Sequence, residues 1–239
     1  MSTVYHATDI TSQQRAAAKL LSPAFAYDAR ACDLARREAD VIRQVRHPSV
    51  PRLYHHGDAV LPDGTVVPCT VMEYLDGTML TERLRFGPLI WTDAVQITAT
   101  IADALAVAHR RGIVHRDITS ENLIITEAGV KIIDFGLAAT GPRGTPDPQL
   151  AADDVYALGV LLYQMLTGAS PYPQVLAGTD PAARMRGMAP TPVLAVPGLP
   201  RAVADLCRAC MAKRATDRPD SSSVALALWG LLVPQGPLV

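Results

Sequence analysis

Val114-His115-Arg116-Asp117-Ile118-Thr119-Ser120-Glu121-Asn122-Leu123-Ile124-Ile125 reads as a short apolar entry, a polar loop and an apolar run of β type. Asp117 and Asn122 are therefore expected on one loop between two packed elements, the arrangement in which a rigid scaffold presents polar side chains for chemistry. Thr126-Glu127-Ala128-Gly129 follows as a turn, with glycine where a positive φ is needed. Val130 to Ile133 then reads as the second strand of a hairpin, which carries Asp134-Phe135-Gly136 back beside the loop.

Two carboxylates and an amide converging in this way suit one chemistry. A carboxylate orients a hydroxyl and accepts its proton, while Asn and Asp oxygens hold magnesium against a triphosphate. His115-Arg116-Asp117, four further residues, Asn122, then Asp134-Phe135-Gly136 resembles the protein-kinase signature. It is most similar to the bacterial members of the eukaryotic-type serine/threonine kinase family. The resemblance implies an α+β fold of two lobes, a small β-rich N-lobe over residues 1–75 and a mostly helical C-lobe over residues 76–239. It also implies transfer of the ATP γ-phosphate to a Ser or Thr hydroxyl of a protein substrate. Asp117 would orient and deprotonate that hydroxyl, and Asn122 and Asp134 would hold Mg2+.

Toward the N-terminus, Val4-Tyr5-His6-Ala7 resembles the strand that follows the family's glycine-rich loop. Only Met1-Ser2-Thr3 precedes it, with Ser2 where the last glycine of Gly-x-Gly-x-x-Gly would fall, so the chain reads as an N-terminally truncated member without that loop. Arg15 to Leu21 resembles the family's Val-Ala-Ile-Lys strand, although its alanines are poor β formers. Ala29 to Val45 is expected to be a helix with Ala31, Leu34, Val41, Ile42 and Val45 on one stripe, which Glu38 shares. A carboxylate there needs a cation, because burying it alone is costly. The resemblance assigns Lys19 as that cation and gives it the α- and β-phosphates; the other reading pairs Glu38 with a local arginine. Pro62-Asp63-Gly64 is a hairpin turn, and Val66 to Met72 is a strand running into Glu73-Tyr74-Leu75-Asp76-Gly77. This resembles the kinase hinge, with Met72 as gatekeeper and the backbone of Glu73 and Leu75 bonding adenine.

Toward the C-terminus, Trp91 to Arg111 is a long helix with Thr92 as the expected N-cap. Thr119 stands where the family usually has Lys, which removes a cation from the transferred phosphate and points to slow turnover. The segment after Asp134 is short and lacks Ala-Pro-Glu; Gly144-Thr145-Pro146 leads through Asp147 directly into the next helix. Arg218, which in the family pairs with that Glu, is expected to lack its partner. Asp154 is expected at the helix start, anchoring the catalytic loop from below. Further helices are read near Arg201 to Arg214 and Asp220 to Leu232, after a Pro-rich stretch from Pro181 to Pro200.

Among 239 residues, 49% are hydrophobic and 19% charged, which is a globular composition. The net charge of −1 with no basic block gives no electrostatic case for nucleic acid or an anionic membrane. No apolar run is long enough to span a bilayer and no secretory signal opens the chain, so a cytoplasmic location is expected. Cys207 and Cys210 fall on an apolar stripe with Val203, Leu206 and Met211 and read as buried thiols rather than zinc ligands. Two alternatives stand beside the kinase reading. A pseudokinase-type scaffold with weak or no turnover is favoured by the missing lid and short activation segment. A small-molecule phosphotransferase shares the Asp-to-Asn loop but not the His-Arg-Asp, the Phe-Gly or the Asp154 helix.

Overall fold

The computed structural model describes residues 2–141, 144–172 and 191–233. The N-terminal part is an antiparallel sheet of β1 (Ser2–Thr8), β2 (Arg15–Leu21), β3 (Leu53–Val60) and β4 (Val66–Glu73), in the order β1-β2-β4-β3. The alanines of β2 form strand despite their propensity because β2 lies between two partners. Ala17 faces His6 on one side and Met72 on the other, and paired ladders outweigh a weak local preference. Side chains alternate across a strand, so Lys19 shares the face of Leu21. Leu21 packs with Ala31 and Cys32 of α1 (Ala29–Gln44), which turns that face toward the helix. The Asp28 carboxylate caps α1 by accepting from the amides of Arg30 (2.9 Å) and Ala31 (3.1 Å).

Leu34 departs from the expected stripe: it is 46% exposed. The reason is that α1 serves two cores. Its first turns cover only a narrow cluster around Leu21 and Val67, whereas Val41, Ile42 and Val45 are embedded in the main core with the helices of the C-terminal part. Leu34 lies beyond the reach of either.

The C-terminal part is mostly helical. It comprises β5 (Gly77–Met79), α2 (Leu80–Leu84), α3 (Trp91–His109), β6 (Ile113–Val114), β7 (Leu123–Thr126), β8 (Gly129–Ile132), β9 (Ala139–Thr140), α4 (Pro148–Thr167), α5 (Arg201–Cys210) and α6 (Ser221–Leu232). Strands β5, β7 and β8 form a second sheet, and β6 pairs with β9. Helix α3 is buried on most of its circumference and packs on α4 and α6, with Ile101 and Leu105 sharing one buried core with Leu158, Leu162 and Met165 of α4. Each such side chain contributes about 1.5–3 kcal/mol of burial. Among the described residues no helix is long and apolar enough to cross a membrane.

Three expectations are corrected. Thr92 is not the N-cap of α3. The cap is Ile90, whose carbonyl accepts from Ala94 N, and Thr92 falls inside the first turn. Asp154 is not at a helix start, because α4 begins earlier, with Asp147 capping the amides of Gln149 and Leu150 and Pro148 at the first position. Asp154 therefore lies deep in the helix. Arg218 is not without a partner: its buried guanidinium donates to Asp153 Oδ1 (2.9 Å) and to the carbonyls of Ala152 (2.7 Å) and Ala212 (2.9 Å). A neighbouring carboxylate on α4 thus supplies the charge that the missing Glu does not. Residues 181–190 of the Pro-rich stretch lie outside the described residues.

The two parts are tied behind the catalytic loop. Ile132 N of β8 donates to Ser49 O in the segment after α1 (2.7 Å). Glu73 accepts from Arg52 N (3.0 Å) and from Lys131 Nζ on β8 (2.7 Å). Lys131 alternates with the buried Val130 and Ile132, and this outward position is what points it at the end of β4.

Candidate active site

The loop between β6 and β7 begins with strain. Arg116 holds φ at 70°, in the left-handed region that a side chain rarely adopts, at a cost of about 1–3 kcal/mol. Asp154 holds it there. Its carboxylate is 1% exposed and accepts from His115 N (2.8 Å), Arg116 N (2.6 Å) and the His109 ring at Nε2 (2.9 Å). Ser221 bonds the other nitrogen of that ring (3.1 Å), so α3, α4 and α6 all converge under the loop. Sequence reading placed Asp154 here but missed His109 and Ser221, whose spacing carries no signal. Asp154→Ala is expected to destabilise the fold by about 3–5 kcal/mol, since it leaves buried donors unpaired around a strained residue. Denaturant unfolding of the two proteins measures this; a difference under about 1 kcal/mol would remove Asp154 as the loop's anchor.

The His115 ring packs against Phe135 in a tilted contact, with centroids 4.6 Å apart and planes inclined by 58°. Its Nδ1 accepts from Asp117 N (3.3 Å), which leaves the ring proton on Nε2. Burial pushes this imidazole below its ordinary pKa, so the neutral ring is favoured. Phe135 is itself buried, and this fixes the direction in which Asp134 leaves β8.

Asn122 Nδ2 donates to both Asp117 O (2.9 Å) and Asp117 Oδ2 (2.8 Å), joining the two polar residues of the loop. Ile133 N donates to Asn122 O (3.0 Å), so the end of β8 and the loop are stitched together. Asp134 Oδ1 accepts from Gly136 N (2.6 Å) and lies 3.8 Å from Lys19 Nζ. Lys19 Nζ in turn bonds Glu38 Oε1 at 2.5 Å. The local-arginine alternative for Glu38 is thus excluded by geometry. Glu38 is nearly buried, and desolvation raises its carboxyl pKa although Lys19 works the other way.

Three carboxylates, an amide and a lysine are in this way drawn from β2, α1, the β6–β7 loop and the exit of β8. Met72 is buried at the end of β4, and Leu75 lies in the irregular 74–76 segment that joins the two sheets. Glu73 has its amide donating to Arg52 O (2.9 Å), so a ligand contact by this residue falls to its carbonyl. Thr119 is exposed beside the loop. Cys207 and Cys210 take no part: both thiols are buried in α5 and pushed up to about 12 by desolvation.

A family model described as protein kinase domain matches residues 1–152. The chain is 31% identical to a probable serine/threonine-protein kinase PknB of Bifidobacterium longum, over 93% of this chain and 36% of that protein. It is 32% identical to serine/threonine-protein kinase PknH of Mycobacterium bovis, over 95% of this chain and 41% of that one. Against serine/threonine-protein kinase PknB of Mycolicibacterium smegmatis the identity is 34%, over 72% of this chain and 31% of the relative. The chain spans less than half the length of each of these relatives.

Proposed function

The chain belongs to the protein kinase domain family, and from that premise we propose that it transfers the γ-phosphate of ATP to a Ser or Thr hydroxyl of a protein. The observation that carries the reading is the continuous link from Glu38 through Lys19 to Asp134, beside the Asp117–Asn122 pair. Lys19 is the cation for the α- and β-phosphates, and Glu38 keeps its ammonium directed into the cleft rather than into solvent. Asp117 orients the acceptor hydroxyl and takes its proton. The bond from Asn122 Nδ2 prevents the Asp117 side chain from swinging away and leaves the amide oxygen of Asn122 available.

The donor set fits Mg2+. That oxygen and the half-exposed carboxylate of Asp134 are hard ligands, and magnesium is ordinarily held by one or two carboxylates together with phosphates and water, not by an all-protein cage. When bound, Mg2+ neutralises phosphate charge and sets its orientation. Met72 lines the adenine site, with Glu73 and Leu75 bonding the base through their backbone, so the lobes divide near residue 75.

Calorimetry with ATP tests the metal and nucleotide parts. Binding is expected to require magnesium and to weaken at least about tenfold in Asp134→Asn, as a lost charge-assisted ligand dictates. Equal affinity with and without the metal would refute the Asn122–Asp134 assignment.

A further inference from the structure

A groove of about 930 Å³ opens beside the end of β4; Glu73 lines it, but none of Lys19, Glu38, Asp117, Asn122 or Asp134 does. Its accessible apolar surface comes from the half-buried Leu53 at the start of β3 and from the exposed Pro48 and Tyr54, with Ile42, Val45 and Val50 buried behind them in the main core. Its walls carry Arg43, Arg46, Arg52 and Lys131 against a single carboxylate, that of Glu73. Lys131 and Glu73 satisfy each other at 2.7 Å. The three arginines remain. Arg43 is 3.9 Å from Asp40 with both side chains 61% exposed, a pair worth little. Arg46 makes no ion pair among the described residues, and Arg52 has only the Glu73 charge that Lys131 already balances.

Cations at the end of α1 are favoured by its helix dipole, which accounts for Arg43 and Arg46. It does not account for Arg52, which belongs to a separate segment entering β3. Three arginines gathered beside this apolar surface, on a chain whose net charge is −1, are a local excess of one sign. A partner that uses both features has acidic side chains alternating with apolar ones along an extended backbone.

We propose that this groove is a docking site for an extended acidic peptide segment of another protein, with its carboxylates on Arg43, Arg46 and Arg52 and its apolar side chains on Pro48, Leu53 and Tyr54. The groove meets the proposed nucleotide site only at Glu73, whose side chain lines it while its backbone is assigned to the base, and peptide docking does not depend on the activity assigned above.

The probe is a fluorescein-labelled peptide of alternating Glu and Leu, followed by anisotropy against the full chain, with the same peptide carrying Gln for Glu as control. The acidic peptide is expected to bind saturably, and the Gln peptide at least about tenfold more weakly. Its affinity should fall as salt rises, because the arginines are exposed. The triple variant Arg43→Glu, Arg46→Glu, Arg52→Glu should lose binding by at least about tenfold, while its thermal unfolding and magnesium-dependent ATP affinity stay unchanged. Equal binding of both peptides, or binding that survives the charge reversal, overturns the proposal. So does a concentration-dependent dimer in sedimentation that the triple variant abolishes, since the groove would then be filled by a second copy of this chain. Loss of ATP binding in the unmodified protein would count against the nucleotide reading and leave the peptide result standing.

Discussion

Asp117→Asn is expected to reduce phosphate transfer to background, measured with radiolabelled ATP as autophosphorylation or as transfer to a generic basic protein. Positioning a hydroxyl and accepting its proton contributes roughly 10²–10⁴ in rate, and the amide of Asn, although its oxygen accepts a hydrogen bond, cannot take the proton. The effect is expected against a slow parent. Thr119 presents a hydroxyl where a cation would stabilise the developing charge, a deficit on the order of 10²-fold. The variant should nonetheless fold normally, because Asp117 lies on a loop whose backbone is held by Asp154 and His115, and neither bond involves its carboxylate. Nucleotide affinity is expected to change little. If the parent incorporates label and Asp117→Asn incorporates as much, the proton acceptor is some other group. No incorporation by either protein would favour the scaffold alternative.

The second large effect lies in the Lys19–Glu38 pair. Lys19→Met should lower phosphotransfer by about 10²-fold, the usual loss when one preorganised cation is withdrawn from a reacting phosphate. Glu38→Gln should lose nearly as much, because its role is exercised through Lys19. The double variant should then be no worse than Lys19→Met alone, a coupling of about 1–3 kcal/mol in a double-mutant cycle. Additive losses would separate the two residues and withdraw the phosphate role from Lys19. A pH signature accompanies the pair. The Glu38 pKa is raised by burial, so as pH falls Glu38 takes up a proton before an exposed glutamate would. The ion pair is therefore present above the raised value and is lost as pH drops through it. The acidic decline of kcat/KM should begin above the ordinary glutamate range and disappear in Glu38→Gln.

How much of this was legible in the sequence varies with the kind of signal. The hairpin that delivers Asp134 was readable because Gly129 needs its positive φ (115°) and the flanking runs are apolar. That Glu38 needs a cation was readable from an energetic necessity, since a carboxylate on a buried stripe must be paired; that the cation is Lys19 came from the resemblance, with a local arginine left open until the geometry placed Lys19 on it. The strand carrying Lys19 was not readable from propensity. Three alanines say helix, and only the two flanking partners of β2 make them strand. The starting point of α4 was misread because Asp153 and Asp154 look like caps, whereas Asp147 followed by Pro148 is the stronger start. Arg218 was misread for a related reason: an absent motif was taken for an absent partner, and geometry had moved the carboxylate to Asp153. The Glu73–Lys131 bond and the arginine groove depend on segments far apart in the chain, and no local pattern announces either.

The bond from Ile132 N to Ser49 O joins the sheet that holds β8 to the turn between α1 and β3. Seen as kinetics, that amide is a clock. Its proton can exchange with solvent only when the 47–51 segment lifts from β8, whereas the amides of α3 wait for unfolding of the main core. Exchange at Ile132 relative to Leu105 therefore divides the opening of one part from the other from the breakdown of either. Any ligand that draws Lys19 and Asp134 together should slow the first and leave the second untouched.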